Sequence, residues 1–154
     1  MRGGEMFSPQ NLLVPTDFSE FSELAFKKAL NIARVHNSSI FLLHIIDGTI
    51  QQFVTDYCFD KKLVDRVVHE SIVSANEKLK KKIEKFPEAK EVKIITDVRR
   101  GVPYEEILGS QEEQEIDLIV ISSHGRTGLK KMLIGSVTEK VLRGAACSVL
   151  LVKS

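Results

Sequence analysis

The sequence predicts a single-domain α/β protein: a doubly wound sheet of five parallel strands in the order 3-2-1-4-5, with helices on both faces. Three observations predict it. Short apolar runs alternate along the chain with longer stretches of helical period, the pattern of strand-helix-strand crossovers. The runs Ile40 to Ile46 and Asp117 to Ile121 are almost continuously apolar, as strands covered on both faces must be. The chain has 154 residues, 43% of them hydrophobic, enough to bury roughly two-thirds of the unfolded surface in one core and too few for two ordinary domains. Right-handed crossovers that wind outward from the first strand in both directions then set the strand order.

Each element follows from local pattern. The first run, Leu12-Leu13-Val14, stops at Pro15. From Ser19 to His36 the positions Phe21, Leu24, Ala25, Ala29, Ile32 and Ala33 fall on one helical face, with Asp17 or Ser19 able to cap it. Ile40 to Ile46 reads as a central strand broken only by His44, which suits core packing better than ligation. Residues 47–58 show no clear period and read as an irregular insertion. From Asp60 to Phe86 the positions Val64, Val67, Val68, Ile72, Ala75, Leu79 and Ile83 trace a long amphipathic helix, ended by Pro87, with Lys80-Lys81-Lys82 as part of its solvated face. Val92 to Val98 alternates and suits a half-exposed edge strand. Gly101 turns the chain, and Pro103 with Glu105 and Glu106 fits the positive end of the next helix. Asp117 to Ile121 is a buried strand, Ser136 to Arg143 a short helix, and Ser148 to Val152 the fifth strand. Residues 1–9 form a loose N-terminal extension of the 1–154 domain.

Composition excludes several classes. Lys and Arg total 22 against 21 Asp and Glu, so no global field draws the chain to nucleic acid or a membrane surface. Any anion site must be local. Cys58 and Cys147 lack CxxC or metal-ligand spacing and read as reduced thiols. No run approaches the roughly 18 apolar residues of a membrane span, and the first ten residues lack the core of a signal peptide. The expected location is the cytoplasm.

Ligands of doubly wound sheets bind at the carboxyl ends of the strands where the winding reverses, which places Pro15-Thr16-Asp17 opposite the loop beginning at Ser122. That loop reads Ser122-Ser123-His124-Gly125-Arg126-Thr127-Gly128 and runs on to Gly135-Ser136-Val137-Thr138 at the head of the last helix. Helix-start amides have no internal partner and carry the positive dipole end, so phosphate is their natural ligand. Gly135 allows close approach, Ser136 and Thr138 offer hydroxyls, and Arg126, Lys130 and Lys131 bring positive charge. Locally, a GxxG and a Gly-Ser before a helix are also compatible with simple turn and cap chemistry.

Leu13 to Glu20, Leu42 to Asp47, Gly101-Val102-Pro103, and the stretch from Ser123-His124-Gly125 to Gly135-Ser136-Val137 together resemble the universal stress protein family, in order and over nearly the whole chain. Its ATP-binding members carry G-x2-G-x9-G-[ST]. Here the second glycine is Gly125, the terminal pair is Gly135-Ser136, and the first glycine is replaced by Ser122. A side chain there can crowd a nucleotide, and a serine hydroxyl can equally bond a ribose or phosphate oxygen. The resemblance implies ATP or a related adenine nucleotide, with Mg or Mn bridging the phosphates. Asp17, beside Pro15 and Thr16, would contact the ribose or base side, and Ile45 would offer backbone groups to adenine. Gly125, Gly135, Ser136, Val137 and Thr138 would hold phosphates, with Ile121, Ser122 and His124 lining the same loop.

No G-x-S-x-G elbow, Walker sequence or G-x-G-x-x-G pattern is present, and no convincing general base lies in the site loops. A binding protein is expected, with slow ATP hydrolysis at most. The apolar last strand, Val149-Leu150-Leu151-Val152, needs a cover, and the resemblance implies a homodimer paired through residues 148–153. Two functions remain open at this point: a nucleotide-dependent stress sensor or switch, and a nucleotide-free stress dimer acting through contacts with a downstream protein. Ser122 divides them.

Overall fold

The computed structural model describes residues 6–57, 60–125 and 133–153. Arg126, Thr127, Gly128, Lys130, Lys131, Cys58 and the first five residues lie outside them. The elements are β1 (Asn11–Pro15), α1 (Glu20–His36), β2 (Ser39–Asp47), α2 (Gly48–Tyr57), α3 (Lys61–Glu84), a short 3-10 helix (Pro87–Glu91), β3 (Lys93–Gly101), α4 (Pro103–Glu113), β4 (Leu118–Ser122), α5 (Ser136–Gly144) and β5 (Ser148–Val152). The sheet is wholly parallel in the order β3-β2-β1-β4-β5, the predicted one.

Strand alternation splits the core into two layers. Leu12 and Val14 of β1, Ile40 and Leu42 of β2, and Leu118 and Val120 of β4 meet Phe26 and Ala29 of α1 and Leu79 of α3. Leu13, Leu43, Ile119 and Ile121 point the other way and meet Ile107 of α4 and Val141 of α5. Apolar burial on both faces explains why the central strands read as continuous rather than alternating runs.

Ser19 caps α1, its hydroxyl accepting from the Ser22 amide, and Asn37 ends the helix in the left-handed region at φ 56°. The buried stripe is Ser22, Ala25, Phe26, Ala29, Leu30 and Ala33. It is rotated from the expected face, leaving Leu24 45% exposed. The alanines fit either phase, so burial of the larger Phe26 and Leu30 sets it.

Residues 48–57 are a helix, not an irregular insertion. Thr49, Ile50, Val54 and Thr55 are weak helix formers, which hid the element. Pro87 does not simply stop α3; after Glu84 it opens the 3-10 helix. β3 continues beyond Val98 to Gly101. An edge strand tolerates its charges because Asp97 and Glu113 bond Arg99, at 2.7 and 2.6 Å.

Lys82 departs from the expected solvated face. It is 3% exposed, in line with Ala75 and Leu79 on the buried side of α3.

Candidate functional site

β1 ends where Thr16 donates its amide to the Leu43 carbonyl of β2 at 2.8 Å. The chain then turns sharply, and Phe18 takes a left-handed conformation at φ 64°, costly for a bulky residue unless neighbours impose it. They do. Thr16 Oγ1 accepts from the Phe18 amide at 3.1 Å, and Asp17 Oδ1 accepts from the Ser19 amide at 3.0 Å. Phe18 lies on the His44 ring with centroids 4.4 Å apart, while His44 Nδ1 is 2.8 Å from the Thr16 carbonyl oxygen. His44 thus packs and braces this turn.

Ser22 supports the turn from α1. Its hydroxyl donates to the Ser19 carbonyl at 2.8 Å, so the 2.9 Å contact with Thr16 Oγ1 has Thr16 as donor. Lys82 Nζ donates to the same Ser22 oxygen at 3.3 Å. Burial pushes this amine down to about 8; Glu23 opposes that shift, Lys85 adds to it, and Asp17 opposes it.

The facing loop leaves β4 through Ser122, Ser123 and His124, all buried. Ser122 Oγ donates to the His124 carbonyl at 2.8 Å, so the serine in the first motif position folds its hydroxyl back onto its own loop. Ser123 Oγ lies 2.8 Å from His124 Nδ1, and His124 Nε2 is buried without a hydrogen-bond partner among the described residues. At Gly125 a side chain would begin 2.8 Å from Asp17 Oδ2. The two switch-point loops therefore meet at Asp17 and Gly125, and glycine is what lets them meet.

The loop and the last helix are joined at α5. Gly135 donates its amide to the Ser123 carbonyl at 2.9 Å, and Thr138 donates its hydroxyl to the Ser122 carbonyl at 2.9 Å. Thr138 therefore brings an amide to the cradle, its hydroxyl being used internally. Gly135 provides no side-chain cap, and the amides of Ser136, Val137 and Thr138 belong to a first helical turn that has no acceptor of its own. Gly135 has an ordinary φ of −60°, and among the described residues a Cβ there would meet nothing closer than 3.7 Å.

The remaining predicted residues fall around these loops. Pro15 and Ile121 are buried, and Ile121 joins the α4-α5 core, so its side chain is committed to packing. Ile45 is half-buried near the end of β2. The Leu43 carbonyl points toward β1, so Ile45, two residues on, directs its N–H and C=O to the same side, beyond the last residue of β1. Ser22, Phe18 and Lys82 were not anticipated as parts of the site. Lys82 was findable: Ala75, Leu79 and Lys82 follow the i, i+4, i+7 period of a buried stripe. Ser22 had no comparable signal.

Fold and site together define a doubly wound α/β protein whose two switch-point loops meet beside the head of its last helix. Residues 9–153 match the model of the universal stress protein family. A universal stress protein of Methanocaldococcus jannaschii is 34% identical over 153 residues, covering 99% of this chain and 86% of the relative. The solved structure of MJ0577, a universal stress protein of the same archaeon, superposes with a TM-score of 0.82 at 30% identity, covering 96% of this chain and 98% of that one. This chain belongs to the universal stress protein family. Two further solved structures share the fold at lower identity. One, a universal stress protein in complex with cAMP, has a TM-score of 0.62 at 21% identity and coverages of 96% and 98%. The other, from Archaeoglobus fulgidus in complex with dAMP, has a TM-score of 0.64 at 18% identity and coverages of 94% and 98%.

Proposed function

We propose that this chain binds an adenine nucleotide, ATP foremost, between the Thr16-Asp17 turn and the head of α5, and acts as a nucleotide-dependent sensor or switch in the stress response. Gly135 is the observation that carries this reading. Neither its φ nor the described residues around it require a glycine, whereas a phosphate seated on the amides of the first turn does. Three features support it. The Asp17 carboxylate at the meeting of the loops suits ribose hydroxyls, the N–H and C=O of Ile45 suit the donor and acceptor on the edge of adenine, and the Nε2 of His124, without a partner among the described residues, suits a polar ligand. Bound cAMP and dAMP in structural neighbours agree with the class of ligand.

No group of His, Cys, Asp and Glu that could hold a metal is found among the described residues. A magnesium or manganese ion would accordingly enter with the nucleotide, held by its phosphates, and would neutralise part of their charge. The Ser123-His124 pair does not alter the reading of a binding protein, since no carboxylate orients the imidazole among the described residues.

The test is to denature the purified protein, assay what it releases for adenine nucleotide, and follow with calorimetry against ATP, AMP and cAMP in magnesium or manganese. Release of nucleotide, or saturable heat, is expected; neither from any of them would remove the reading. The alternative, a nucleotide-free stress dimer acting through protein contacts, has its own support in the apolar edge at β5, where Val149 to Val152 are only half-buried.

A further inference from the structure

We propose that Lys82 is a positioning residue for the cleft: from α3 it holds Ser22, and through Ser22 and Thr16 it fixes the turn that presents Asp17 to Gly125. The proposal deepens the nucleotide-site reading and rests on it.

A lysine almost never sits 3% exposed in a core without a task for its head group. Here that head donates to Ser22 Oγ at 3.3 Å. Thr16 donates to the same oxygen at 2.9 Å, and Thr16 Oγ1 accepts the amide of Phe18, the residue held left-handed. Ser22 has one proton, given to the Ser19 carbonyl, so its oxygen is purely an acceptor for Thr16 and Lys82. The bonds form a continuous path from α3 to the backbone flanking Asp17. An ammonium donor makes the first link charge-assisted, and at 3.3 Å it is a long one.

The charges that bear on Lys82 come from every side of this corner. Glu23 on α1 attracts it but is shared with Lys85, which bonds Glu23 at 2.6 Å and repels Lys82; Asp17 attracts it from the turn itself. β2 contributes His44, bonded to the Thr16 carbonyl oxygen, while the sheet residues in the core that α3 joins are the apolar Ile40, Leu42, Ile94 and Val98. The amine is pushed down to about 8, mainly by burial, so mild alkali discharges it. Discharge replaces a charge-assisted bond by an ordinary one and removes the cation beneath Asp17. The affinity of the cleft for an anionic nucleotide then falls.

The experiment compares wild type, Lys82→Met, Ser22→Ala and the double variant by calorimetry with magnesium ATP from pH 7 to 9.5, beside nitrogen-proton spectra of the ligand-free proteins. Wild-type affinity should drop roughly threefold to tenfold as the pH passes through 8, the step from a charge-assisted to a neutral bond. Lys82→Met should bind that much more weakly at pH 7 and lose the pH dependence. The double variant should bind like either single one, and the amides of Phe18 and Ser19 should shift in ligand-free Lys82→Met. Wild type and Lys82→Met with equal affinities and the same pH profile would overturn the proposal. If wild type binds no nucleotide yet the Phe18 and Ser19 amides move, the positioning stands and the nucleotide reading falls. If the methionine variant does not fold, the wild-type profile decides: an affinity level from pH 7 to 9.5 overturns the proposal.

Discussion

Single atoms at the switch point are placed tightly enough to make side-chain changes readable. A methyl at residue 125 starts 2.8 Å from Asp17 Oδ2, and that carboxylate is tied by its other oxygen to the Ser19 amide. Gly125→Ala should therefore swing Asp17 off its bond, costing about 1 kcal/mol of stability for the lost hydrogen bond. It should weaken nucleotide binding tenfold or more, as measured by calorimetry; unaltered affinity would place the ligand away from Asp17. Lys82 gives a second prediction, on stability. Below about pH 8 it is charged in both the folded and the unfolded chain, and the folded state bears the burial cost in full. As the pH rises from about 8 toward the ordinary lysine value of 10.5, only the folded chain has lost the proton. Stability contributed by this group rises across that window, by up to about 3 kcal/mol. Denaturant titrations should show wild type gaining on Lys82→Met between these limits, and parallel curves would contradict the burial.

At the level of elements, α5 sets two demands against each other. Alanine in place of Gly135 stiffens the unfolded chain and is a poorer N-cap, effects that offset to within about 0.5 kcal/mol. The same methyl stands on the path to the Ser136, Val137 and Thr138 amides. Gly135→Ala should thus leave the melting temperature nearly unchanged while removing nucleotide binding; retained affinity would mean those amides hold no phosphate. The strand order and the meeting of Asp17 with Gly125 were legible in the sequence because apolar continuity and the switch-point rule act over whole elements. α2 was not, since its β-branched residues give little local helix signal, while its place beside α3 is a tertiary contact that no local pattern encodes. The phase of α1 was ambiguous because alanine satisfies either face. The burial of Lys82 runs against its charge, so the run Lys80-Lys81-Lys82 reads as a solvated face, and its spacing from Leu79 is the one signal that contradicts that reading. The internal use of the Ser122 and Thr138 hydroxyls depends on loop geometry that no residue pattern encodes.

Over the whole molecule the open question is what covers β5. A groove of about 410 Å³ beside it is lined by Phe7, Ile32, His36, Leu118, Val149 and Leu150, and Phe7 remains 55% exposed. Val152 turns its carbonyl toward β4, accepting the Ser123 amide at 2.9 Å, so the alternate residue Leu151 directs its N–H and C=O outward from the sheet. A second copy pairing antiparallel across a two-fold axis would satisfy those outward groups and close the apolar edge. Proline at residue 151 separates pairing from folding, because it deletes an outward donor and none of the rungs to β4. Wild type should sediment as a dimer at about 10 μM, a concentration well above the Kd expected of a standard interface. Leu151→Pro should sediment as a monomer with its helical circular dichroism retained. A wild type that stays monomeric would show that β5 is covered by something other than its own copy, and a proline variant that stays dimeric would move the interface off this strand.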